Sequence, residues 1–183
     1  MPKNERSFLS RRKITTSFIQ KLPFAKKKFR LYFFLFPVAV LFFELKNYNL
    51  IISSSHSFVK NIFRREKYQK HVCYCYTPIR YCYDMKKEYL HDYSNNLFVR
   101  FILSFILSLI SLWDKKMSSN VDHFISISKH IQKRIKSIYQ RNSELIYPSI
   151  NYKKYSNVAS NKSDYYVAAS RFVPYKKIDL VIK

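Results

Sequence analysis

Apolar residues fall along the chain in short continuous runs separated by basic and polar stretches, a pattern of buried strands alternating with helices. Residues 48–55 (YNLIISSS) have the unbroken apolar core expected of a central parallel strand. Residues 71–76 (HVCYCY) predict a second strand, which Thr77-Pro78 ends because the residue before a proline resists the helical region. Residues 79–90 then predict a helix, and residues 123–127 (HFISI) a third strand. Ser128 stands as the N-cap of an amphipathic helix over Lys129–Tyr139, with Ile131, Ile135, Ile138 and Tyr139 on one face and Lys and Arg, Arg134 among them, on the solvated other. Residues 145–147 predict a short strand, and residues 148–162 lack apolar periodicity and suit a linker. Residues 165–170 predict a buried strand, followed by a basic turn and a helix starting at Pro174. This order predicts an α/β layered fold with a mostly parallel sheet.

Two apolar runs are longer. Residues 31–43 (LYFFLFPVAVLFF) carry Pro37 and fall short of the ~20 residues that span a bilayer, so they predict a buried or interfacial helix. Residues 97–113 (LFVRFILSFILSLISLW) are the stronger membrane candidate. Their length and the internal Arg100 favour a buried core helix instead. Residues 1–30 form a basic arm, and residues 59–70 a loop or short helix.

Charge adds a class of partner. The 183 residues hold 34 Lys and Arg against 11 Asp and Glu, a formal +23, which favours nucleic acid, anionic lipid or phosphorylated substrates. The aromatics sit in apolar runs and do not interleave with Lys and Arg, so specific nucleic-acid binding has no motif to support it. A basic nucleic-acid-binding module and a small membrane-associated protein remain the alternatives that composition allows. Glycine is absent, which excludes the glycine-rich phosphate loops of the Walker and dinucleotide types. Any backbone position with positive φ must then be filled by a costlier residue. The richness in Lys, Ile, Asn, Tyr and Phe points to a bias in the coding DNA, so part of the +23 need not be a binding signal. Cys73, Cys75 and Cys82, an odd count with no secretory signal, fit a reducing, cytoplasmic setting. Cys73 and Cys75 fall on one face of a strand as small hydrophobes, and the spacing is not that of a zinc knuckle.

Candidate chemistry lies at strand ends. His56 follows the serines that close the first strand, on the side where open α/β sheets bind ligands. Arg80 and Asp84 stand one helical turn apart, the spacing of an ordinary surface ion pair. Near the C-terminus, Arg171 and Lys176 flank the turn between the predicted strand and helix, an arrangement suited to a phosphate.

Six segments in order carry a resemblance: ITTSFIQKLPFAKKKFR, NYNLIISSSHSFVK, HVCYCYTPIRYCYD, SLWDKKMSSNVDHFISISKHIQKRI, ELIYPSI and YYVAASRFVPYKKIDLVI. Over about residues 13–183 they resemble bacterial family 4 glycosyltransferases of the GT-B fold, mannosyltransferase-like enzymes of surface-polysaccharide synthesis. The resemblance implies a partial N-terminal, acceptor-binding Rossmann-like domain over 1–147, a linker over 148–162, and the start of a donor-binding Rossmann-like domain over 163–183. It implies retaining transfer of a sugar from a nucleotide-sugar such as GDP-mannose to a lipid-linked or saccharide acceptor, with no metal and no further cofactor. Arg171 and Lys176 match the pair that grips the donor diphosphate, and His56 the catalytic histidine lining the cleft. Tyr76, Thr77, Arg80 and Asp84 match the acceptor side. The chain departs from the family at Tyr76, where His is usual, at Asn49, where Asp is usual, and at Asn61, near a usual Gly. The family's glycine-rich opening and most of its donor domain have no counterpart in these residues. The resemblance therefore implies a fragment, inactive alone, which a complementary fragment of the same enzyme could complete. It also implies a cytoplasmic place, peripheral at the inner face of an anionic membrane.

Overall fold

The computed structural model describes residues 12–155, 164–170 and 176–182. Among them, four strands form one all-parallel sheet in the order β1-β2-β3-β4: β1 Leu50–Ser55, β2 Lys70–Cys75, β3 His123–Ser126 and β4 Ser143–Leu145. The α/β class expected from the alternation of elements is present. The chain divides into two compact units, residues 1–148 and 149–183, and the sheet belongs to the first.

The helices are α1 Ala25–Lys28, α2 Phe36–Leu41, α3 Lys86–Tyr93, α4 Leu97–Met117, α5 Lys129–Tyr139 and α6 Ile178–Ile182. In α5 the Ser128 hydroxyl accepts from the Ile131 N–H, as the sequence predicted, and Ile131, Ile135 and Tyr139 are buried. Gln140 closes the helix in the left-handed region at φ 55°, a position glycine would usually hold. Pro37 lies in the first turn of α2, where a missing N–H costs nothing, so it opens a helix there and does not break one. The run before it, Phe29–Leu35, is 3-10 helix.

One sheet face is packed. Ile51, Ser53 and Ser55 of β1, His71, Cys73 and Cys75 of β2, and Phe124 and Ser126 of β3 are buried. One cluster of Val40, Ile51, Phe58, Ile79 and Leu107 lies toward α2 and α4; another of Cys73, Cys75, Val121, Phe124 and Ile135 lies under α5. The central place expected for residues 48–55 is not found. β1 ends the strand order, and its burial alternates, with Leu50 and Ile52 exposed and the serines inward.

Four further expectations are corrected. The helix predicted over 79–90 begins at Lys86, because Ile79 and Tyr83 leave helical geometry and only a 3-10 turn, Arg80–Cys82, lies between them. The short strand is Ser143–Leu145, not 145–147. The apolar run at 97–113 is not a buried core helix: only 11% of its most apolar 18-residue stretch is buried. Ser104, Ser108 and Ser111 fall on one side of the helix; that side, with Leu107 and Asp114, meets the domain, while Phe98, Phe101 and Phe105 stay exposed. Finally, residues 165–170 are exposed and form no strand. Among the described residues of that unit no strand offers them a ladder. The expected start of the last helix at Pro174 lies outside the described residues.

Candidate functional site

Parallel strands place their carboxyl ends at one edge, and β1 and β2 do so in register, with Ser55 beside Cys75. The next residues, His56 and Tyr76, thus leave adjacent strands about 5 Å apart. The Tyr76 N–H donates to the Ser55 carbonyl at 2.8 Å, extending the ladder one step past the strands. The loop after β1 is fixed from within. The Ser55 hydroxyl donates to the Ser57 carbonyl (3.1 Å) and accepts from the Lys60 N–H (3.2 Å). The Ser57 and Tyr81 hydroxyls share a hydrogen bond of 2.7 Å. His56 projects from this braced loop and is exposed. Tyr76 is also exposed, its ring set edge-on to Tyr74 at 5.4 Å.

The acceptor-side candidates after β2 converge on a residue that the sequence reading placed on the solvated face of α5. Arg134 donates through one guanidinium nitrogen to the Thr77 hydroxyl at 2.8 Å and through another to Asp84. Arg80 approaches the other Asp84 oxygen at 3.9 Å. Thr77, Arg80 and Asp84 therefore form one cluster, with Asp84 held between two guanidinium groups. The Arg134 side chain is only 12% exposed, which no count of charges on a helical face would reveal. The Thr77 hydroxyl is taken by the Pro78 carbonyl and Arg134, so such an edge presents an imidazole, a phenol and two cations partly offset by one carboxylate. It can hydrogen-bond a hydroxylated or anionic group and neutralise part of its charge.

Beneath the edge lies a buried polar knot that the sequence did not disclose. Asp114 Oδ1 accepts from Lys60 Nζ at 2.6 Å and from Asn61 Nδ2 at 2.7 Å. Its Oδ2 accepts from the Tyr83 and Tyr139 hydroxyls, each at 2.8 Å. Lys60 Nζ also donates to Asn61 Oδ1 at 2.6 Å and lies 4.4 Å from the Tyr139 ring centre. Lys60, Asn61 and Asp114 are almost wholly buried. Burial, then the Asp114 charge, pushes both tyrosine hydroxyls well up from their ordinary value, so they stay protonated donors. All four acceptor sites of the carboxylate are taken, so the knot braces the fold and offers nothing to a ligand. The five residues are scattered from 60 to 139 in the chain, and no local pattern joins them.

A second buried pair holds β1 to β2: His71 Nε2 and the Ser53 hydroxyl lie 2.8 Å apart. Burial lowers the His71 pKa from its ordinary 6.5, against an opposing effect of the Asn120 backbone, and Nδ1 makes no hydrogen bond. At the other end of β2, Asp122 accepts from the His71 N–H (2.7 Å) and from Arg64. Burial alone would raise that carboxyl; the His71 N–H and Arg64 outweigh it and hold it below the usual carboxylate range. Cys73 and Cys75 lie fully buried in the core, and Cys82 is pushed up to about 12 by burial.

The donor-side candidates belong to the second unit. Lys176 is exposed and precedes the five-residue α6. Arg171 lies outside the described residues.

Comparison with protein-family models gives no match, and comparisons with curated proteins and with solved structures give none either.

Proposed function

We propose that the first unit is the acceptor-binding part of a retaining hexosyltransferase of the family 4, GT-B type. The observation that carries this reading is the cluster at the carboxyl edge. Thr77, Arg80, Asp84 and Arg134 are tied together beside two exposed strand-end residues, His56 and Tyr76. Ligands of open α/β sheets gather at this edge.

In this reading the acceptor is a lipid-linked or free saccharide. Its hydroxyls meet His56 and Tyr76, and a pyrophosphate link, where present, meets Arg80 and Arg134. His56 accepts the hydrogen bond of the reacting hydroxyl and orients it. Asp84 fixes the Arg134 guanidinium and lies 3.9 Å from that of the exposed Arg80. The donor is a nucleotide-sugar such as GDP-mannose, whose diphosphate Lys176 and Arg171 would hold. Cations beside that diphosphate stabilise charge on the departing nucleotide. The six ordered segments and the parallel sheet support the family, and the basic surface suits a phosphorylated acceptor at a membrane face.

Amide shift mapping of the full chain tests this. A short-chain prenyl-pyrophosphoryl hexose should shift resonances of residues 55–57, 76–77 and 134, while GDP-mannose should shift those around Lys176. An acceptor mimic that leaves the first group unmoved at millimolar concentration removes the reading.

A further inference from the structure

We infer that the outer face of α4, continued by α2, seats this domain in the interfacial layer of an anionic lipid bilayer, with α4 lying flat along the membrane. This gives a surface and an orientation to the membrane place expected above; it is carried by the helix itself and does not depend on sugar transfer.

The stripe is long and regular. Phe98, Phe101, Phe105, Leu109 and Leu112 recur at spacings of three and four, and each is half or more exposed. At 1.5 Å per residue, the stripe from Phe98 to Leu112 runs about 21 Å along the 21-residue helix. The stripe continues sideways into an apolar groove of about 300 Å³ lined by Pro37, Val38 and Leu41 of α2 and Leu109, Ile110 and Trp113 of α4. A continuous apolar patch of this kind is rare on a monomer that meets only water.

The helix is long and apolar enough to cross a bilayer, but its other face is fastened to the domain. Leu107 and Asp114 are buried, the Tyr83 hydroxyl that donates to Asp114 also lies 3.1 Å from the Ser111 carbonyl, and Lys86 Nζ donates to the Ser108 hydroxyl at 2.7 Å. Crossing would pull Asp114 out of the polar knot and leave Lys60 buried without its counter-ion. Lying flat keeps every one of these contacts and buries the stripe.

Charge decides between lipid and a second copy of the chain. The spacing would also suit a helix pair, but such a seam needs carboxylates to meet its cations. The single carboxylate of α4, Asp114, is inside the fold, and residues 25–41 contain none. Exposed Lys115 and Lys116 end α4, and exposed Lys27 and Lys28 precede α2. Two copies face to face would set these lysines and a formal +23 against each other, whereas an anionic headgroup layer attracts them.

Flotation of the purified full chain with vesicles tests the inference. The chain should rise with phosphatidylcholine vesicles that contain about a third phosphatidylglycerol and much less with phosphatidylcholine alone, and salt should weaken the binding. Alkaline carbonate should release it. A Phe101→Glu/Phe105→Glu variant should stay at the bottom of the gradient while keeping the wild-type circular dichroism spectrum. Should that variant misfold, Lys115→Gln and Lys116→Gln remain, each expected to cut the partition coefficient about fivefold. The inference is overturned if the wild type does not float, or if the folded Phe variant or the lysine variants float as well as wild type. Retention through carbonate overturns the flat orientation. A dimer that the Phe variant dissociates, without vesicle binding, assigns the face to a second copy.

Discussion

Asp114 is the position where a single atom change should cost most. Its carboxylate accepts four hydrogen bonds, from Lys60, Asn61, Tyr83 and Tyr139, with no exposure to solvent. Asp114→Asn keeps the size but removes the charge opposite a lysine that is 1% exposed. It also turns an amide donor toward groups that are themselves donors. Breaking a buried pair from one side costs about 3–5 kcal/mol, chiefly through the stranded partner. Against a domain stability of about 5–15 kcal/mol, that is about a fifth of the total or more. In a chain of this size it lowers Tm by about 10–15 °C. Trp113, the sole tryptophan, neighbours Asp114 and lies 6.3 Å from the Phe58 ring, so its fluorescence reports the transition in urea. Lys60→Met combined with Asp114→Leu removes both charges and should lose much less than the sum of the single changes. A loss below about 1 kcal/mol for Asp114→Asn would refute the reasoning, because it would mean that water or another group already meets Lys60.

Other changes test smaller parts of the account. His71 is held neutral by burial, with its pKa below the ordinary 6.5, so unfolding takes up a proton once pH falls under that value. Stability should fall with pH from about 6.5 until the lowered native value is reached, and urea midpoints of His71→Gln should lose that component of the slope. Ser128→Ala removes the cap on the Ile131 N–H and should cost about 1 kcal/mol in the same denaturation assay. Gln140→Gly relieves a side chain held at φ 55° and should stabilise by about 0.5–1 kcal/mol, raising the urea midpoint. Arg134→Met frees Thr77 and Asp84 and should weaken acceptor binding about tenfold by calorimetry, with a smaller effect on stability.

β1 to β3 and α5 were legible because each carries its own local signal. A short apolar run gave β1 to β3, and Ser128 with an isoleucine stripe gave the helix and its cap. α4 was legible as a helix, and Ser104, Ser108 and Ser111 mark the face that it turns to the domain, but an apolar opposite side gives no sign in sequence that it stays uncovered. The region after β2 misled for another reason: its spacing fits a helix, but the backbone at Ile79 and Tyr83 leaves helical geometry first. At the edge, His56 could be placed from the end of its strand, whereas Arg134 could not. It looked like one more cation on a solvated face until the crossover brought it to Thr77, 57 positions away. The Asp114 knot is the extreme case, because its partners meet only through tertiary packing. The strand read at 165–170 shows that an apolar run is a request for neighbours, which the rest of the unit must supply.

The central claim is that the carboxyl edge of the sheet receives a saccharide acceptor. Its most direct test is photo-crosslinking with a prenyl-pyrophosphoryl hexose that carries a diazirine on the sugar, followed by mass-spectrometric mapping of the adducts. The account predicts adducts on residues 55–57 and 76–77, displaced by the unmodified compound and reduced in Arg134→Met. Adducts that map elsewhere, or that excess unmodified compound does not displace, would contradict it.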